Sequence, residues 1–399
     1  MHVVVVGGGL AGARAVEELR KAGHTGEITL VGAEEHLPYE RPPLSKDVLL
    51  GKSSPADAEV HDRAWYDERR VSLRLGSEAV ALDLGRQMVT LDGGEELHYD
   101  ALLLATGSEP RHLPDAEGLS VPMSYLRTVE DSEAIAALWE GGGHARRLLV
   151  IGAGWIGLEV AAAARQHEVE VTVVEPAELP LGRVLGPEMG RLFADLHREH
   201  GVDLRLSTTV ESLADGPDED GRPTVVASLS DGSTVTADAL VVGIGVRPRV
   251  RLAEQAGLTI AEDGGVAVDE TLRTSDPHVW AAGDIASEDH PVLGRRVRVE
   301  HWDVARQQGR HAARAILGDD AAYRTMPYFY TDQYDLGMEY VGSPGPDGYD
   351  RAVIDGDVAG RVLTVRYVKD GTVVAAMQIN DWDAMDGLRQ AVGRPLEEG

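Results

Sequence analysis

Two apolar patterns succeed one another along the chain. Up to about residue 284, short unbroken apolar runs end at a glycine. Val3–Val6 enters Gly7-Gly8-Gly9, Leu102–Leu104 enters Ala105-Thr106-Gly107, Leu148–Ile151 enters Gly152-Ala153-Gly154, Leu240–Val242 enters Gly243-Ile244-Gly245, and Val279–Ala282 enters Gly283-Asp284. Runs of about four to eight apolar residues bounded by turn residues predict strands buried on both faces, as in a parallel sheet covered by helices. Beyond Tyr323 the runs become short, β-rich and separated by turns, as in Val362–Tyr367 and Val373–Ile379, with a helix-like stretch at Ala384–Val392. That pattern predicts a β-meander cap. Between the two regions, Trp302, Arg306, Arg310 and Arg314 recur every four residues, which on a helix makes one slowly drifting stripe.

The first glycine turn has a physical reading. Gly7 permits a tight turn, Gly9 lets backbone approach a pyrophosphate, and Gly12 lets the next helix, which carries Ala11, pack on the strand. The helix start offers free amides and the positive end of its dipole to the phosphates. A second strand, Ile28–Val31, should end in an acid for the ribose hydroxyls, and Glu34 and Glu35 are the candidates. The same spacing returns as Gly152-Ala153-Gly154-Trp155-Ile156-Gly157, with Val171–Val174 as second strand and Glu175 as its acidic end. Glu175 can accept from a ribose 2′-hydroxyl and would repel a 2′-phosphate, so NADH is expected over NADPH. Two such turns imply two dinucleotides, most simply a bound flavin and a diffusing nicotinamide.

The expected fold is therefore α/β, with two Rossmann-like dinucleotide-binding domains (FAD and NAD) and a C-terminal α+β domain. Residues 1–112 and 246–322 should form the FAD-binding domain, 113–245 the NAD-binding domain and 323–399 the cap. Pro217–Pro223, acidic and glycine-containing, is expected as a hairpin loop.

Composition narrows the chemistry. The 399 residues suffice for two or three domains with real cores. A net charge of −29 argues against nucleic acid or an anionic membrane as partner. No apolar stretch is long enough to span a bilayer and the N-terminus runs straight into a strand, so a cytoplasmic protein is expected. There is no cysteine. Disulfide reductases, thiol peroxidases and iron–sulfur ligation all need thiols, so any cluster must sit on a partner and no metal site is expected in this chain.

The block Leu37-Pro38-Tyr39-Glu40-Arg41-Pro42-Pro43-Leu44-Ser45-Lys46, following the first glycine turn, resembles the FAD-dependent, ferredoxin-reductase-like oxidoreductases, which include apoptosis-inducing factor. The resemblance covers nearly the whole chain and favours Glu34 for the flavin ribose. It implies that Lys46 lies near flavin N5 and pairs with Glu159, a fixed cation there favouring the electron-rich reduced ring. It places Asp284 on the ribityl or pyrophosphate stretch, Arg41 and Arg127 at phosphate or ring, and adds Val80, Ala105, Thr106, Gly107, Gly245 and Gly283 to the cofactor-binding set. Glu300 is expected to orient the nicotinamide carboxamide, with His301 or Trp302 lining the ring, and His301 packing and hydrogen-bonding rather than transferring protons. Amides at the start of that helix would stabilise charge on the pyrimidine side of the flavin. Two departures stand out. Trp155 replaces a small aliphatic residue and is similar to an aromatic of apoptosis-inducing factor that must move for nicotinamide to stack. Tyr330-Thr331 replaces Trp-Ser within Pro327–Tyr334.

The activity implied is NADH:acceptor oxidoreduction: hydride from NADH to flavin N5, then single electrons to a ferredoxin-type iron–sulfur protein, serving an oxygenase. The alternative is an NADH oxidase or NADH-sensing flavoprotein with oxygen or quinone as acceptor, and a third is a binding protein switched by NADH. Small ferredoxins are acidic and a −29 protein should repel them globally, but the cluster Arg295, Arg296, Arg298, Arg306, Arg310 and Arg314, set against Glu300 and Asp303, runs the other way: it is either a basic docking patch leading to the flavin or an arginine-bearing solvent face with carboxylate partners nearby. Monomer and homodimer both remain open. The stretch from Asp381 lacks a strong amphipathic face, which disfavours a membrane-bound dehydrogenase.

Overall fold

The computed structural model describes residues 1–139, 145–217, 222–345 and 348–396. Its centre is two five-stranded sheets that are parallel throughout. The first runs 279–281, 101–104, 3–6, 28–31, 71–74, with Val3 level with both Ile28 and Ala101. The second runs 203–206, 170–175, 147–151, 239–242, 123–124. Every residue of the strands Val3–Val6, Ile28–Val31, Ala101–Leu104 and Ala239–Val242 is buried, which is why these segments read as unbroken apolar runs. A three-stranded antiparallel sheet accompanies each parallel one, formed by 79–83, 88–91 and 96–98 and by 210–215, 225–229 and 234–237. Strands 210–215 and 225–229 flank the expected Pro217–Pro223 loop, whose residues 218–221 lie outside the described ones.

The chain crosses between the two parallel sheets twice, and the crossings pair with each other. Ser108–Pro110 runs antiparallel to Val246–Pro248, directly after Ala105-Thr106-Gly107 and Gly243-Ile244-Gly245. Arg111 N–H bonds Gly245 O, and Arg249 N–H bonds Gly107 O. The last strand of the first sheet, Val279–Ala281, thus arrives only after the second sheet has been built.

The C-terminal segment forms a five-stranded antiparallel sheet in the order 328–333, 336–342, 372–379, 362–369, 351–357. This corrects the expected meander: strand 372–379 inserts between 336–342 and 362–369, so the chain leaves the first hairpin and returns beside it. The sheet buries Met338, Val365, Tyr367 and Met377 against Leu185, Met189 and Phe193 of helix Gly182–Glu199. Helix Met385–Ala391 covers part of it. Among the described residues no helix is long and apolar enough to cross a membrane.

Candidate active site

Both glycine turns have the same construction. Gly7 has φ +130°, and a Cβ there would stand 2.0 Å from Ala105 O; Gly152 has φ +102°, and its Cβ would meet Gly243 O at 2.4 Å. A Cβ on Gly12 would lie 2.1 Å from Gly7 O, and one on Gly157 2.1 Å from Gly152 O, so these positions let each helix close on its turn. Gly9 and Gly154, each preceding the first helical residue, face open space. Neither helix, Leu10–Lys21 or Trp155–Gln166, has an acid in its first turn, which leaves both N-terminal amide sets open to anions.

One cleft of about 1290 Å³ joins the two turns. It exceeds the ~300–1,000 Å³ usual for one small ligand. Gly7, Gly9, Ala11, Glu34, Arg41, Lys46 and Val80 line it, as do Ala105, Thr106, Gly107 and Arg127. From later in the chain come Gly154, Trp155, Ile156, Glu159, Gly245, Gly283, Asp284, Glu300, His301 and Trp302. Gly12, Gly152, Gly157 and Glu175 are not among the residues that line it. Glu175 accepts from Ala153 N–H at 2.7 Å and Ala177 N–H at 2.9 Å, so its carboxylate holds the second turn in shape and retains lone pairs for a ribose.

The wall near the first turn carries two arginines, each paired with a carboxylate. Arg41 donates to Glu34 Oε1 at 2.9 Å, to Tyr39 Oη at 3.0 Å and to Arg127 O, while Tyr39 donates to Glu34 Oε2 at 2.5 Å. Arg127 pairs with Asp284 at 3.0 Å, and burial together with the nearby Arg41 pushes its pKa down. The Nε of Arg127 is buried without a partner among the described residues.

Also in the lining, Lys46 Nζ lies 2.8 Å from Glu159 Oε1, with the carboxylate only 3% exposed. Glu159 also accepts from Thr331 Oγ1 at 2.6 Å and from Ser45 Oγ. The Tyr330 ring is 5.3 Å from the ammonium, an attractive cation–π distance. Trp155 meets Phe329 edge-on at 4.9 Å and Phe193 at 6.1 Å, so it both borders the cleft and packs against the cap.

Three further contacts bear on the expected roles. Glu300 lines the cleft and is held by Arg298 at 2.5 Å. Among the described residues His301 Nδ1 has no hydrogen-bond partner; the ring packs at 4.5 Å on Phe329, and burial lowers its pKa to about 4, keeping it neutral. The arginine stripe is matched within the chain: Arg306 to Asp303 at 2.6 Å, Arg310 to Glu17 at 3.9 Å and Arg314 to Glu18 at 3.8 Å. Arg295 binds Ser343, and Arg296 binds Val268 O and Ser287 O. Arg306, Arg310 and Arg314 thus each have a carboxylate partner and brace the helix Trp302–Ile316, whereas Arg295 and Arg296 are held by neutral groups that leave their charge in place.

Sequence reasoning missed several supports. Tyr39 orients Glu34, Glu40 accepts from Trp302 Nε1 at 3.1 Å, and Gln308 accepts from Gly283 N–H at 2.8 Å. Tyr39 and Glu40 sat inside the recognised block, whereas Gln308 carried no local signal.

The residues fit FAD. Open space in front of Gly9, the unpaired Arg127 Nε and a cleft large enough for more than one ligand are what a flavin dinucleotide with a second nucleotide requires. Bound there, FAD supplies a ring that takes a hydride and releases electrons singly.

Comparison with known proteins agrees. The family model described as pyridine nucleotide-disulphide oxidoreductase matches residues 1–309, and one described as reductase C-terminal matches 328–397. The ferredoxin–NAD(+) reductase component of the anthranilate 1,2-dioxygenase system of Burkholderia cepacia is 42% identical over 378 residues, covering 94% of this chain and 90% of that protein. Putidaredoxin reductase of Pseudomonas putida is 37% identical, covering 95% and 88%. The solved covalent putidaredoxin reductase–putidaredoxin complex superposes with a TM-score of 0.92 at 36% identity, over 99% of this chain and 94% of that one. These relatives lend no support to the likeness between Trp155 and apoptosis-inducing factor. With its two glycine turns, its shared cleft and a family match across three quarters of its length, the chain belongs to the pyridine nucleotide-disulphide oxidoreductase family and carries that family's reductase C-terminal domain.

Proposed function

We propose that the protein is an NADH-dependent flavoprotein reductase that passes electrons from FAD to a ferredoxin-type iron–sulfur protein of an oxygenase system. The observation that carries this is one cleft bounded by both glycine turns with the Lys46–Glu159 pair in its wall. In this reading residues 1–112 and 246–322 hold FAD, 113–245 receive NADH, and 323–399 close the cleft. Gly7, Gly9 and the helix start behind them hold the flavin pyrophosphate, Glu34 its ribose, and Arg127 with Asp284 the stretch between. Lys46 presents a fixed cation, and Glu159 keeps that side chain in one place. Gly154 and Glu175 receive the nicotinamide dinucleotide, while Trp155 and Glu300 border the path to the ring. The absence of cysteine leaves no thiol relay, so electrons leave for an external acceptor. The relatives' names, ferredoxin–NAD(+) reductase component and putidaredoxin reductase, support this acceptor class over oxygen or quinone. Its site of action in this reading is the cytoplasm, where NADH is regenerated.

The test is anaerobic stopped flow. NADH should bleach the flavin absorbance of the purified protein, and reoxidation should be fast with a [2Fe–2S] ferredoxin and slow with air. Cytochrome c reduction that proceeds at full rate without ferredoxin would overturn the acceptor assignment.

A further inference from the structure

Behind the Lys46–Glu159 pair lies a buried chain of side chains that the proposed function does not use. Thr331 Oγ1 is 2.6 Å from Glu159 Oε1, Gln333 Nε2 is 3.2 Å from Thr331 Oγ1, His197 Nε2 is 2.8 Å from Gln333 Oε1, and Tyr334 Oη is 3.3 Å from His197 Nδ1. Thr331, Gln333, His197 and Glu159 are all at most 3% exposed.

The direction of every bond follows from donor and acceptor rules. A carboxylate only accepts, so Thr331 must give its hydroxyl proton to Glu159. Its oxygen then accepts, which turns the Gln333 amide NH₂ toward it and the Gln333 carbonyl toward His197. That carbonyl can only accept, so His197 carries its proton on Nε2 and its Nδ1 takes the Tyr334 hydroxyl proton. Burial holds this imidazole neutral, with a pKa of about 4, so it does not reverse the chain by protonating. Four donors thus point one way, toward Glu159. An amide in the middle donates its own hydrogen but passes none along, so the arrangement orients and does not conduct.

We propose that Thr331, Gln333 and His197 are positioning residues: a one-way hydrogen-bond relay that spreads the charge of Glu159 and thereby sets how much of the Lys46 cation is felt in the cleft. The inference rests on the reading that Lys46 stands beside bound FAD. The relay joins three regions, since Lys46 lies in the first part of the chain, Glu159 and His197 on helices Trp155–Gln166 and Gly182–Glu199, and Thr331 and Gln333 on cap strand Tyr328–Gln333. It gives the cap an electrostatic hold on the flavin site through Glu159 and Lys46. It also gives a reason for threonine at 331, whose methyl fixes the rotamer that aims the hydroxyl at Glu159.

The experiment is a spectroelectrochemical titration of the FAD-loaded full chain. Thr331→Val removes the donor and keeps the shape, leaving the carboxylate charge concentrated and Lys46 more fully neutralised. The two-electron reduction equilibrium should weaken about tenfold, a midpoint about 30 mV lower. Thr331→Ser should restore it, and Gln333→Leu should move it the same way by less. In a Glu159→Gln background, Thr331→Val should have no further effect, which a merely structural role would not predict. In parallel, ¹⁵N NMR of ring-labelled protein should find His197 protonated on Nε2 alone. An unmoved midpoint in Thr331→Val with FAD bound, an equal shift in the Glu159→Gln background, or a His197 protonated on Nδ1 overturns the relay. Failure to bind FAD at all would defeat the proposed function first, and the relay's role with it.

Discussion

Lys46 has little freedom to be anything but a fixed charge: its ammonium is anchored at 2.8 Å by a carboxylate that itself has three donors. Lys46→Ala should slow NADH reduction of the flavin by about 10²-fold in stopped flow, the loss usual for one preorganised electrostatic group, with FAD still bound. Trp155 serves two masters. Trp155→Ala should change the reduction rate by opening the cleft, and it should also cost about 1–3 kcal/mol in denaturant unfolding through the lost contacts with Phe329 and Phe193. Trp155→Phe should keep most of both properties; a stability loss with an unchanged reduction rate would make the residue packing alone. Glu288 offers a pH test. It is 2% exposed with one oxygen unpaired among the described residues, and burial raises its pKa to about 8. A carboxyl whose folded pKa lies above its unfolded value of 4.5 contributes stability that is complete below about pH 4.5 and lost as pH rises through 8. Glu288→Gln should therefore flatten the fall in melting temperature between pH 5 and 8, a window worth up to about 4 kcal/mol. Residues inside the two glycine turns and the Arg-Pro-Pro block are legible in the sequence because local backbone geometry demands them. His197 is not, because its partner Gln333 lies 136 residues away and only tertiary packing brings them together.

At the scale of elements, close approach is what the small residues achieve. A Cβ on Gly309 would stand 2.2 Å from Ala11 O, so helix Trp302–Ile316 lies directly against helix Leu10–Lys21, the one whose start faces the cleft. Gly309→Ala should destabilise by about 1–3 kcal/mol and loosen FAD retention in a dilution assay, because the wedge tilts the phosphate-facing helix. Gly387→Ala, in a helix where a Cβ meets nothing within 4 Å, should instead be neutral or gain up to about 1 kcal/mol. Equal effects at both positions would mean that helix propensity, not contact, decides. The parallel strands are readable as apolar runs because both their faces are covered. The order of the cap strands is not, since alternation marks a strand without saying which neighbour it pairs with, and so strand 372–379 was expected beside 362–369 alone. The arginine stripe misleads for a related reason. A period of four shows which side chains share a face, while Glu17 and Glu18, which answer Arg310 and Arg314, come from a helix some 290 residues earlier in the chain.

For the whole molecule, charge and connectivity have the largest consequences. With a net charge of −29 and its arginine stripe internally matched, the protein should repel an acidic ferredoxin at long range. The second-order rate constant for electron transfer to such a ferredoxin should therefore rise as salt increases from about 10 to 150 mM, where the screening length shortens to about 8 Å. A fall over that range would locate an attractive patch elsewhere on the surface. Connectivity governs how the protein is made. Strand 101–104 emerges from the ribosome with one edge bare, and its neighbour Val279–Ala281 follows only after some 175 further residues, a whole second sheet among them. The second sheet closes on strands drawn from 123 to 242 alone, so it can finish during synthesis while the first waits with an exposed apolar edge. Between those two events the first sheet's open edge should be exposed to mispairing. Flavin added to a translating cell extract should therefore be captured only after Trp302, the start of the helix that borders the cleft, has cleared the exit tunnel, which would tie the yield of folded protein to flavin supply at that late stage.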